Sequence, residues 1–185
     1  MRIYLDTGVF IDYLSRHGQQ NAVLRTVGRR ERSASDLALD AEKLFETIQR
    51  CHTGATSCLT FYEGEEALYG KLSRALAVKD VPHADKLLIP AVRYYPEQIQ
   101  IVIRTFGFEV CDMTAATVKV QLQENQLRTG GIRAADALHI ATAIEFRADS
   151  FVTTDENLLA LDQRVCNLSG DPIRFVDSDQ ALQLL

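Results

Sequence analysis

At 185 residues the chain is long enough for one domain with a substantial core, and its length does not call for two. Its 46% hydrophobic and 24% charged content is that of a globular protein, and no run approaches the ~20 consecutive apolar residues that span a bilayer. A net charge of -5 argues against a broad electrostatic grip on nucleic acid, so such a partner would have to be met through local basic patches or bound metal.

Residues 2–5 read as a short buried strand, and no leader pattern precedes it. A helix begins in Val9–Leu14, followed by a polar, Arg-rich loop or frayed helical excursion over 19–35. Apolar residues at Leu37, Leu39, Ala41, Leu44, Phe45 and Ile48 predict a helix from Asp36 to Arg50. A strand over Ala55–Leu59 leads into a helix from about Phe61. Pro82, Pro90 and Pro96 break the middle into short helical pieces, because proline lacks the N–H and clashes with the preceding turn. A third strand follows at Phe108–Cys111, then a helix over Ala115–Leu127 and a break at Gly130-Gly131. Arg133–Arg147 is a strongly apolar helix, Phe151–Thr153 a strand, Glu156–Leu161 a short helix and Ile173–Val176 a last strand. Alternating strands and helices predict an α/β fold with a parallel sheet. Cys51, Cys58, Cys111 and Cys166 include no CxxC pair, which points to a reduced, cytoplasmic protein without a zinc site.

Four acids fall where predicted strands end or helices begin: Asp6, Glu63, Asp136 and Asp155. Each has a structural explanation. Asp6 and Asp155 can cap the helices that follow them. Thr60 and Glu63 have the spacing of a capping box, in which side chains satisfy each other's backbone donors. Asp136 can complement the dipole of its helix, although a carboxylate on so apolar a helix needs a partner or a cation. His139, one turn on, reads as a packing residue. Jointly the four acids say more, since the carboxyl ends of parallel strands line a common crevice. Clustered carboxylates there would be suited to holding Mg²⁺ or Mn²⁺ for phosphodiester chemistry. Two basic patches, Arg25, Arg29, Arg30 and Arg32, and Lys71, Arg74 and Lys79, are candidates for meeting phosphates or else are solvated surface.

The segments LDTGVFIDYL, SCLTFYEGEEALYG and AADALHIATAIEFRADSFVTTDENL, spread over residues 3–157, together resemble the PIN-domain family and within it the VapC-type toxin nucleases. That resemblance implies a three-layer α/β/α sandwich with a mostly parallel sheet. It makes residues 1–185 a single nuclease domain with helical insertions around 16–50 and 71–105. It implies that Asp6, Glu63, Asp136 and Asp155 form a catalytic quartet holding Mg²⁺ or Mn²⁺, with Thr7 and Thr154 as polar support. The implied activity is metal-dependent endonucleolytic cleavage of RNA. The implied partners are the RNA substrate, a small antitoxin protein that could insert an arginine near the acids, and a second copy of the chain in a homodimer.

The competing reading is a non-catalytic RNA- or protein-binding module on a degenerate nuclease fold. A catalytically dead copy should have lost some of the acids, and all four positions are Asp or Glu. A phosphatase using Asp6 as nucleophile would want a second Asp at position 8, which is glycine. No GxGxxG follows a strand, which removes the dinucleotide-binding signature, and no histidine lies in a nucleophile motif.

Overall fold

The sheet is built around β1 (Arg2–Leu5), in a computed structural model that describes residues 1–17, 27–78, 83–129 and 131–185. Chain order continues through α1 (Thr7–His17), α2 (Ala34–Cys51), β2 (Thr53–Ser57), α3 (Leu59–Val78), α4 (Ala84–Phe106) and β3 (Glu109–Cys111). It is completed by α5 (Ala115–Gln123), α6 (Asn125–Thr129), α7 (Ala134–Glu145), β4 (Ser150–Val152), α8 (Glu156–Leu159), β5 (Arg174–Val176) and α9 (Ser178–Leu184). The five strands are all parallel in the order β3-β2-β1-β4-β5. The chain therefore builds outward from β1 in one direction and then returns to β1's other side with β4. Such a reversal leaves a crevice at the carboxyl ends of the two strands that flank it.

Strand alternation divides the apolar side chains between two cores, one on each face of the sheet. Ile3, Leu5, Val152 and Val176 face α1, α2, α4 and α9. Tyr4, Phe151 and Phe175 face the other way, towards α7 and α8. Those three rings stack across adjacent strands, with centroids 5.1 Å and 5.0 Å apart. Aromatic stacking of this kind contributes roughly 0.5–1.5 kcal/mol per pair beyond burial. It also fixes the position of the Tyr4 hydroxyl. No helix among the described residues is long and apolar enough to cross a membrane.

Three features depart from the sequence reading. The chain is not broken at Pro90 and Pro96, which lie inside one helix, α4. Each proline costs about 3 kcal/mol in a helix interior. Leu88, Val92, Tyr95, Ile99, Val102 and Phe106 are all buried at alternating four- and three-residue spacing, and that continuous apolar stripe outweighs the interruptions. The helix predicted over Ala115–Leu127 is two, α5 and α6, separated at Glu124. The sequence reading also missed α9, whose N-cap is Asp177 in a capping box with Gln180. The strand and helix bounds otherwise move by a few residues. Pro82 and Gly130 lie outside the described residues.

Candidate metal centre

Asp6 directly follows β1, and its N–H continues the ladder by donating to the Val152 carbonyl (3.0 Å). Its carboxylate is almost fully buried. Oδ1 accepts from the Thr7 N–H (2.8 Å), so Asp6 does help to satisfy the start of α1, while Oδ2 accepts from Thr153 Oγ1 (2.7 Å). Burial raises the pKa of Asp6; His139 and the Thr153 bond oppose that rise, and Glu63 adds to it. Position 8 must be glycine for α1 to sit this close to the end of β4. A Cβ at Gly8 would lie 2.1 Å from Thr154 Oγ1.

Glu63 is not part of a capping box. α3 begins earlier, at Leu59, whose N–H is taken by Ser57 Oγ (3.0 Å), and Thr60 instead pairs its hydroxyl with that of Thr56 (2.7 Å). The Glu63 side chain reaches across to α1 and α7. Its Oε2 accepts from Thr7 Oγ1 (2.5 Å) and lies 2.8 Å from His139 Nε2. Burial works against the ionised form of Glu63, but the bond and charge of His139 and the Thr7 hydroxyl outweigh it and lower its pKa.

Asp136 occupies the first turn of α7, as its dipole reading requires. Even so, its pKa is raised to about 6, first by burial and then by the charges of Asp6, Asp155 and Glu63, with Arg133 offsetting part. Among the described residues it has no hydrogen-bond donor. Asp155 is the N-cap of α8: Oδ1 accepts from the Asn157 N–H (2.8 Å). Thr154 packs against Gly8 at the cleft wall instead.

All four acids line one cleft of about 380 Å³, shared with a fifth, Glu66, and with Thr7, Thr154 and Arg133. A separate, mostly apolar groove of about 270 Å³ between α1 and α4, lined by Tyr13, Leu14, Tyr94 and Ile101, holds no carboxylate. Asp6, Glu63 and His139 offer ligand-type atoms that all lie within 4.8 Å of one another, so this corner of the cleft could hold a divalent cation. The donor chemistry suits a hard, oxygen-seeking ion, since carboxylates dominate and no cysteine lines the cleft.

Sequence reasoning underrated three participants. His139 is no ordinary packing residue, for it is fully buried with both ring nitrogens bonded to polar partners. Its spacing three residues after Asp136 on one helix was the available signal. Thr153 and Tyr4 gave only adjacency: two residues before Asp155 and two before Asp6 respectively. The first basic patch fares differently. Arg29 is engaged by Asp12 and Asp177, Arg30 reaches Asp177, and Arg32 pairs with Asp40. Those side chains are committed to holding the turn over 27–33 and are not a free phosphate-binding face. Arg74 is exposed and donates to the Gly70 carbonyl within its own helix (2.8 Å). Arg25 and Lys79 lie outside the described residues.

A five-stranded parallel α/β/α sandwich with carboxylates gathered at its topological switch point defines the class. The fold is similar to that in the crystal structure of VapBC2 from Rickettsia felis bound to a DNA fragment from their promoter. The TM-score is 0.51 at 13% sequence identity, covering 95% of this chain and 98% of that chain. The likeness is one of fold, and it supports the assignment of an α/β sandwich with a parallel sheet. No protein-family model matches the sequence, and no curated protein matches it.

Proposed function

We propose that this chain is a metal-dependent endoribonuclease, acting as the toxin of a toxin–antitoxin pair. The observation that carries the reading is the convergence of Asp6, Glu63, Asp136 and Asp155, from four separate element junctions, on one cleft. Asp6 and Asp136 are the principal metal ligands, Glu63 and Asp155 the weaker ones, with Thr7 and Thr154 in support. Mg²⁺ or Mn²⁺ bound there would supply an activated water and offset charge on the phosphate oxygens.

The chain's own groups do the rest. Thr7 N–H and Thr153 Oγ1 hold the two oxygens of Asp6, which fixes the carboxylate plane. Asp136, to which no donor is bound among the described residues, has its carboxylate open to the cleft. Arg133 is the only basic residue among those described in the cleft lining, and it is placed to meet a phosphate of the incoming strand. We read residues 1–185 as one nuclease unit with the stretches around 16–50 and 71–105 as insertions, working in the cytoplasm. VapBC2 suggests a small antitoxin protein as partner, and a homodimer fits the same reading.

The test is cleavage of labelled total RNA with Mg²⁺, Mn²⁺ or EDTA, beside Asp6→Asn and Asp136→Asn. Discrete, metal-dependent products that the variants do not make would support the reading. A folded, Mn²⁺-loaded protein that retains RNA in a gel shift without cutting it would favour the binding module instead.

A further inference from the structure

Beneath the acidic cleft runs a buried polar chain that joins four elements: Tyr4 of β1, His139 of α7, Glu63 of α3 and Thr7 of α1. Tyr4 Oη lies 2.8 Å from His139 Nδ1, and His139 Nε2 lies 2.8 Å from Glu63 Oε2. Tyr4 and His139 are fully buried, and Tyr4 is held against Phe151 by stacking. Resting on the metal-site reading above, we propose that His139, oriented by Tyr4, is a positioning residue that sets the Glu63 carboxylate for the cation and does not itself ligate the ion.

The hydrogen bonds decide between the two roles. The ionised Glu63 Oε2 can only accept, so the proton shared with His139 sits on Nε2, while Nδ1 is bonded to the Tyr4 hydroxyl. Thr7 Oγ1 donates to the same oxygen, Oε2. Among the described residues Oε1 receives no hydrogen bond, so one carboxylate oxygen is anchored and the other is left for the cleft. To act as a ligand, His139 would have to give up Glu63, and Mg²⁺ and Mn²⁺ prefer oxygen donors in any case. Partners of this kind hold a ligand's orientation, and losing one typically lowers metal affinity by about 10–100-fold.

The experiment is a Mn²⁺ titration followed by EPR, with wild type, His139→Leu, His139→Gln and Tyr4→Phe, each checked for folding by circular dichroism. His139→Leu should weaken Mn²⁺ binding by about 10–100-fold. His139→Gln, which keeps a side-chain N–H, should recover most of that loss, and Tyr4→Phe should show a smaller loss in the same direction. In a Glu63→Gln background the His139→Leu change should add almost nothing. Pulsed EPR of the Mn²⁺-loaded wild type should show no directly bonded histidine nitrogen. A nitrogen coupling that disappears in His139→Leu would make His139 a ligand and overturn the proposal. Unchanged affinity in folded His139→Leu would do the same. If that variant does not fold, unchanged affinity in Tyr4→Phe overturns it. A wild type that binds no Mn²⁺ would remove the metal site itself, and the positioning role with it.

Discussion

Two regions near α1 bury carboxylates and treat them in opposite ways. Around Arg29, Asp12 and Asp177 lie at 2.7 Å and 2.6 Å from one guanidinium, and both acids are almost wholly enclosed. Burial alone would depress the Arg29 pKa, but the bonds and charges of Asp177 and Asp12 more than restore it. In the cleft, five acids, the four already named and Glu66, face Arg133 and the buried His139, and the strain shows in Asp136, whose pKa rises to about 6. The first region is electrostatically complete and ties α1, the turn over 27–33 and α9 together. The second is left short of positive charge, which is the condition of a site that waits for a ligand.

The sharpest way to break this contrast is Arg29→Met. Removing one partner from a buried pair leaves uncompensated charge, and a loss of about 3–5 kcal/mol is expected in urea unfolding. A loss below about 1 kcal/mol would mean the clamp behaves as a surface ion pair. Asp136→Asn should do the reverse. RNA cleavage should fall by about 10²-fold or more. The metal-free protein should meanwhile gain about 1 kcal/mol at pH 7.5, a figure already discounted for the half-exposed position of Asp136.

The sign of the pH dependence follows from the raised pKa. At pH below the ordinary Asp range the carboxyl is protonated in both folded and unfolded chains and costs nothing. As pH rises from about 4 through about 6, the unfolded chain ionises first, and folding is increasingly penalised. The metal-free protein should lose stability across that window, and Asp136→Asn should flatten the loss. Added Mn²⁺ should counter the same penalty. At 100 times its Kd it would stabilise by about 2.7 kcal/mol, with a larger rise in Tm at pH 7.5 than at pH 5. Equal shifts at both pH values would uncouple Asp136 from the ion. The smallest effect is expected from Arg133→Gln: KM for RNA should rise a few-fold and the salt dependence of binding should shallow, with little change in Tm.

Much of this was legible in the sequence, for identifiable reasons. The buried run before Asp6, the apolar helix carrying Asp136 and the strand ending at Asp155 each have strong local signals, and their order predicts a shared sheet edge. Proline was over-weighted in α4, because the rule counts the lost hydrogen bond and not the stripe from Leu88 to Phe106. The Thr60–Glu63 spacing matched a cap, but the turn was supplied by Ser57, and only tertiary structure shows Glu63 reaching His139. Tyr4 and Thr153 were invisible as participants, since their roles depend on which strand lies beside which.

That neighbour relation has a temporal side. β1 is hydrogen-bonded to β4, with Leu5 opposite Val152. Thr153 and Asp155, which complete the cleft wall, follow only then. A chain emerging from the ribosome thus carries Asp6 and Glu63 well before it can join them to Asp136 and Asp155, and pairings so distant in sequence form slowly. The order of synthesis itself delays the assembled acid cluster until β4 and Asp155 have been made.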